Sequence, residues 1–154
     1  MRRDTPDHRP PQADPSWKIA IIHSSFYGEL TQKMVSSAQE ALTKAGIRSE
    51  NISIHDAHGC FEIPLIGAAI AQAQAADALI GLGIIVDGQT DHGRLIADAA
   101  TKGMMDVQVQ YRIPFACEIL HVSDVAIAQA RTEKGTEAAN SVLCSLLTLA
   151  GLCN

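Results

Sequence analysis

Six histidines stand against twelve lysines and arginines in this chain. Imidazole is the side chain best able to move protons near neutral pH, so where the histidines fall is the first chemical question. Five of the six, His23, His55, His58, His92 and His121, lie in four short polar segments: HSSFY (23–27), HDAHGCFE (55–62), DGQTDHGR (87–94) and HVSD (121–124). Each segment follows an apolar run. In the third, Gly88, Gln89 and Thr90 have the composition of a turn entering a helix, where free backbone N–H groups make a ready anion site. His92 stands two residues past Thr90, which makes it the leading acid/base candidate. In the second, Glu62 follows a glycine turn at the start of a helical stretch, where a carboxylate is favoured by the helix end and is free to accept hydrogen bonds. No H-x-x-x-H on a helix and no C-x-x-C pair supports a metal centre.

The apolar runs that must position these segments are KIAII (18–22), NISI (51–54), DALIGLGIIV (77–86) and PFACEIL (114–120). Helical stretches alternate with them at 28–46, 62–74, 94–110 and roughly 133–150. Three of the runs are apolar on both alternating faces, as strands covered by helices on both sides require, whereas NISI alternates and reads as an edge. Strand alternating with helix predicts an α/β fold, a three-layer α/β/α sandwich around an open four-stranded parallel sheet. Ligands of such sheets bind at the carboxyl ends of the strands, where the four polar segments lie. Leu30, Met34, Ala38, Ala41 and Leu42 predict the sheet-facing stripe of the first helix, and Gly46 its end.

The length of 154 residues suits one domain with a substantial core. Residues 1–16, proline-rich and nearly devoid of apolar side chains, are expected to form a flexible tail ahead of a domain spanning 17–154. A net charge of −5 gives no electrostatic footprint for nucleic acid or an anionic membrane. No apolar run approaches a bilayer span and no signal core opens the chain, so a cytoplasmic protein is expected. The four cysteines, Cys60, Cys117, Cys144 and Cys153, suit reduced and mostly buried thiols.

The same segments resemble, in order, the pattern of the 6,7-dimethyl-8-ribityllumazine synthase family of riboflavin biosynthesis, over nearly everything from Trp17 to Ala150. KIAIIHSSF places Phe26 where the family has an aromatic that stacks on the pyrimidine substrate. The family's V-P-G-A-F-E-I-P is similar to AHGCFEIP (57–64), and its G-x-V-I-R-G-x-T-x-H to GIIVDGQTDH (83–92). P-V-x-F-G-V-L-T resembles PFACEILH (114–121), and N-K-G-x-E-A-A resembles EKGTEAA (133–139). The chain departs from the pattern at His58, Asp87, Asp91, Cys117 and Glu118. With the stretch KGMMDVQVQ, a residue other than phenylalanine at 117 resembles a divergent second bacterial type.

The resemblance implies a flavodoxin-like sheet and an enzyme that condenses 5-amino-6-(D-ribitylamino)uracil with 3,4-dihydroxy-2-butanone 4-phosphate, losing phosphate and water, without metal or organic cofactor. It implies His92 as acid/base and Phe26 as the stacking ring. Gly59, Cys60, Phe61 and Glu62 would face the ribityl chain, and the backbone of Ile84, Ile85 and Val86 the uracil edge. Gln89 and Thr90 would hold phosphate, helped by Arg131 or Lys134, between which the alignment leaves the choice open. Cys117 stands where many members carry a phenylalanine that reaches a neighbouring subunit's substrate. The family's sites lie between subunits of a homopentamer, so a pentamer or decamer with shared sites is expected. Two other classes suit some of the same residues: a non-catalytic flavin- or lumazine-binding paralogue, and a histidine-rich metal protein on the same scaffold.

Overall fold

A computed structural model describes residues 12–152. Its elements are β1 (Ile19–Ser24), α1 (Gly28–Lys44), β2 (Ile52–Ala57), α2 (Ile63–Gln72), β3 (Ala78–Val86), α3 (His92–Tyr111), β4 (Phe115–Val122), α4 (Val125–Gln129) and α5 (Lys134–Leu152). Short 3-10 turns at Ser49–Asn51 and Cys60–Glu62 precede β2 and α2. The four strands form one parallel sheet in the order β2-β1-β3-β4, with helices packed on both faces. This is the expected α/β sandwich, with the strand order of a flavodoxin-like sheet.

The alternation of side chains along the strands divides the core in two. Ile19, Ile21, Ile80, Leu82 and Leu120 pack against Met34, Ala38 and Leu42 of α1 and Ala139, Val142 and Leu143 of α5. On the opposite face Ala20, Ile22, Leu79 and Phe115 pack against Ile63 of α2 and Met104 and Val107 of α3. The expected stripe of α1 lies on the first core, with Met34, Ala38 and Leu42 buried and Leu30 and Ala41 partly so. Gly46 adopts φ 108° just past α1, its N–H donating to the Thr43 carbonyl while that of Ile47 donates to Leu42. That pair of bonds is a Schellman end, and its left-handed residue favours glycine.

Three expectations need correction. PFACEIL reads as covered by helices on both sides; β4 does meet both cores, but it is the second edge of the sheet and its face toward α3 is only partly covered, with Cys117 and His121 exposed. A strand's own hydrophobicity does not report whether another strand lies beside it. The thiols are not mostly buried either: Cys60 is, Cys144 on α5 is half-buried, Cys117 on the edge strand is exposed, and Cys153 lies outside the described residues. β1, β2 and β4 also each run further than their apolar cores, so His23, His55 and His121 sit within strands rather than in the loops after them. Of the expected tail, 1–11 lies outside the described residues. Ala13 is buried, with its N–H donating to the Ala45 carbonyl at 2.9 Å.

Candidate active site

β1 leads through α1 to β2 on one side, while β3 leads through α3 to β4 on the other, so the strand order reverses between β1 and β3. The crevice at their carboxyl ends is where this architecture admits a ligand. A cavity of about 570 Å³ opens there, within the size range of small-molecule sites. Phe26, Gly59, Cys60, Phe61, Glu62, Ile84, Ile85, Val86, Thr90 and His92 line it, joined by Ser24, Tyr27, His58, Gly88, Gly93 and Ile96.

Each wall is held by local chemistry. Phe26 follows β1 in a bend fixed from three sides. Its N–H donates to Ser24 Oγ (3.2 Å), its carbonyl accepts from the wholly buried Thr31 Oγ1 (3.0 Å), and Tyr27 after it takes a left-handed φ of 55°. Phe26 is 54% exposed and its ring meets that of His58 at 79° with a centroid distance of 5.6 Å, so much of the side chain stays open to the cavity. Opposite, Glu62 folds back so that Oε2 accepts from the Gly59 N–H at 2.9 Å, which leaves its other oxygen uncommitted. Cys60 is buried, and burial pushes its thiol up to about 11, which keeps it protonated and chemically quiet.

The floor is the end of β3. Pairing of β3 with β1 stops at Leu82, opposite His23, whereas pairing with β4 continues to Val86, opposite Val122. Gly83–Val86 thus present one backbone edge with no strand beside it, and Ile84 is only 2% exposed. The Ile84 N–H faces the Cys60 thiol, and the other peptide groups of this edge call for a partner. The far wall is the turn of Gly88 and Thr90 into α3, whose first residue is His92. Its N–H donates to Thr90 Oγ1 at a long 3.4 Å. A helix of 20 residues begins at that point, so the free N–H groups and dipole of its first turn favour an anion.

The structure does not bring all the expected residues together. Gln89 is exposed beside the cavity without lining it. Cys117 pairs with Gly81, three residues short of Ile84, so it lies roughly 10 Å down the sheet from the cavity floor. Arg131 is exposed in the turn between α4 and α5, and Lys134 begins α5. Lys134 Nζ contacts both carboxylate oxygens of Glu137 (2.8 and 3.0 Å), whereas no ion pair engages Arg131 among the described residues. Of the five histidines, His58 and His92 line this cavity. His23 Nε2 is 2.8 Å from Asp56 Oδ1 in a separate cavity between β1 and β2, His55 bonds Ser53, and His121 bonds Asp87.

Ser24, Tyr27, Gly93 and Ile96 were not read as site residues. Ile96 was within reach: it stands four residues after His92 and so shares its helix face. Tyr27 was not, because its side chain is aimed by a left-handed backbone that sequence does not announce.

Residues 16–149 match the model of the family described as 6,7-dimethyl-8-ribityllumazine synthase. Curated proteins of that name are similar over most of their length. The one from Ruthia magnifica subsp. Calyptogena magnifica is 33% identical over 136 residues, which is 84% of this chain and 81% of that one. The one from Leuconostoc mesenteroides subsp. mesenteroides is 34% identical over 131 residues, covering 82% and 84%.

Proposed function

The chain belongs to the 6,7-dimethyl-8-ribityllumazine synthase family, transferases of riboflavin biosynthesis, and from that premise we propose that it condenses 5-amino-6-(D-ribitylamino)uracil with 3,4-dihydroxy-2-butanone 4-phosphate. The observation that carries this reading is the unpaired edge of β3 under a half-free phenyl ring. A pyrimidinedione has a flat face for Phe26 and alternating donors and acceptors along its rim for the Ile84–Val86 backbone. The ribityl hydroxyls then reach the free oxygen of Glu62 and the peptide groups of Gly59 and Cys60, next to Phe61. The butanone phosphate takes the Gly88–Thr90 turn, with Gln89 at its outer side.

Amine and ketone form an imine without strong activation, so the protein's task is to hold the two substrates together and move protons. His92, between the phosphate turn and the cavity, carries that exchange. Arg131, which no carboxylate engages among the described residues, suits a phosphate better than Lys134, which Glu137 holds. Neither Arg131 nor Cys117 reaches the cavity of its own chain, which supports sites shared between copies in a homopentamer or decamer. We place the protein in the cytoplasm.

The test is the two-substrate assay on purified protein, with the mass of the assembly measured alongside. A lumazine absorbance and fluorescence that grow faster than in the spontaneous reaction are expected. No excess over that reaction would refute the proposal, and tight riboflavin binding without turnover would replace it with a non-catalytic binding role.

A further inference from the structure

His121 and Asp87 have no part in the roles above, yet they are joined beside the phosphate turn. His121 Nε2 lies 2.6 Å from Asp87 Oδ1. Asp87 is the first residue past β3, and its own N–H donates to the Val122 carbonyl at 2.9 Å. Backbone and side chain of residue 87 are therefore both tied to the end of β4. The pair lies beneath the first turn of α3: a Cβ at Gly93 would come within 3.2 Å of Asp87 Oδ1 and 3.7 Å of His121 Nε2. Gly88 follows Asp87 directly and His92 precedes Gly93. A loose carboxylate here would compete with an anionic ligand for the positive end of α3 and repel it. The other carboxylate of the turn, Asp91, points outward, 82% exposed and 3.8 Å from Arg94.

We propose that Asp87 and His121 act as one positioning unit for the anion-binding turn. By donating from Nε2, His121 keeps the Asp87 carboxylate against β4 and away from Gly88–Thr90, while the backbone bond from Asp87 to Val122 ties the start of the turn to the sheet. Neither residue touches substrate. This inference rests on the reading of the turn as the phosphate subsite.

The test measures KM for each substrate in H121A, H121Q and D87N/H121A. H121A is expected to raise KM for the butanone phosphate about tenfold by freeing the carboxylate, with KM for the pyrimidine and kcat little changed. H121Q keeps an N–H donor and D87N/H121A removes the charge, so both are expected within about threefold of wild type. Equal rises in both KM values, or a double variant no better than H121A, would overturn the proposal. If H121A does not fold, D87N alone decides, because a phosphate KM more than about threefold above wild type would contradict it. Titration with inorganic phosphate separates this inference from the assigned reaction. Weakened phosphate binding by H121A, recovered in the double variant, upholds the positioning unit even if no condensation occurs. Condensation with wild-type KM values in H121A removes the unit and leaves the reaction standing.

Discussion

The closest approach in the site is between Gly83 of β3 and Cys60, and it makes a specific pair of substitutions informative. A methyl at Gly83 would lie 2.4 Å from Cys60 Sγ, 3.2 Å from Ser24 Cβ and 3.9 Å from Cys60 Cβ. Ordinary carbon contacts fall at about 3.5–4.0 Å, so in G83A the sulfur must retreat by more than about 1 Å. Cys60 is 4% exposed and packed into the core beneath the cavity, so overpacking of about 1–3 kcal/mol is expected. At this chain length that lowers Tm by roughly 2–12 °C. Cys60 also begins the turn that carries Phe61 and Glu62, and displacing positioning groups by about 1 Å costs on the order of 100-fold in turnover. In C60A/G83A the new methyl takes the place of the sulfur, the contact with the Cβ of residue 60 at 3.9 Å is ordinary, and the 3.2 Å approach to Ser24 Cβ is the one tight contact left. C60A alone leaves a void worth about 1 kcal/mol. Urea melts of wild type, both single variants and the double variant should therefore give a favourable coupling of about 1–3 kcal/mol, with lumazine formation recovering in parallel from its level in G83A. A double variant as unstable as the sum of the single ones would refute the packing argument.

Sharing of sites predicts complementation: H92A, slowed roughly ten- to a thousand-fold, and R131A, weakened toward phosphate, should together regain about a quarter of wild-type activity after co-refolding, since in a symmetric ring about one site in four joins two intact halves. Mixed assemblies, confirmed by mass, with no gain over the parents would exclude shared sites. Burial pushes the Glu118 carboxyl up to about 7, with Lys134 opposing and Glu137 adding to the rise. Between pH 4.5 and 7 the folded chain therefore binds a proton that the unfolded chain releases, and stability falls as pH rises through that window. The full shift is worth about 3 kcal/mol, which solvent screening of a partly exposed group reduces to roughly 1–2 kcal/mol. E118Q should flatten urea stability between about pH 5 and 8, and an unchanged slope would show that Glu118 is not its source. At pH 8 only about one Cys60 thiol in a thousand is ionised, so iodoacetamide should reach it only after unfolding, as read by peptide mass. Rapid native labelling would contradict its burial.

Much of this site was legible because the architecture puts chemistry at strand ends and the sequence marks those ends. Phe26, the Gly59–Glu62 turn, the end of β3, Thr90 and His92 all sit where an apolar run gives way to polar residues. Two kinds of information were not encoded in that pattern. One is where a polar residue continues a strand: His23 and His121 look like loop residues by type, but backbone pairing with Leu82 and Ile85 carries each strand past its apolar core. The other is lateral order. PFACEIL is as apolar as a central strand, and only the completed sheet shows that it is an edge.

On the proposed reading a single chain gives only part of a site, and the edge strand lies beside the surface where a second copy would complete it. α2 and α3 cover the face of the sheet toward which the cavity opens, and they leave Leu65, Leu95, Met105 and Val109 between 54% and 70% exposed. Singly such exposures are ordinary, but here they accompany an edge strand with an exposed thiol and, beyond it, the exposed Arg131. A second copy laid against this region would bury those side chains, at about 1.5–3 kcal/mol for each one fully covered. It would also change the chemistry. In one chain His92 and the phosphate turn are open to water, where the field of the first turn of α3 is screened. Covered by a neighbour, the same helix end and histidine act in a drier medium, in which each fixed dipole and each proton donor is worth more to a developing charge. On the proposed reading, assembly and catalysis therefore draw on one exposed surface: Leu95, a single helical turn past His92, is among the apolar residues that a second copy would bury.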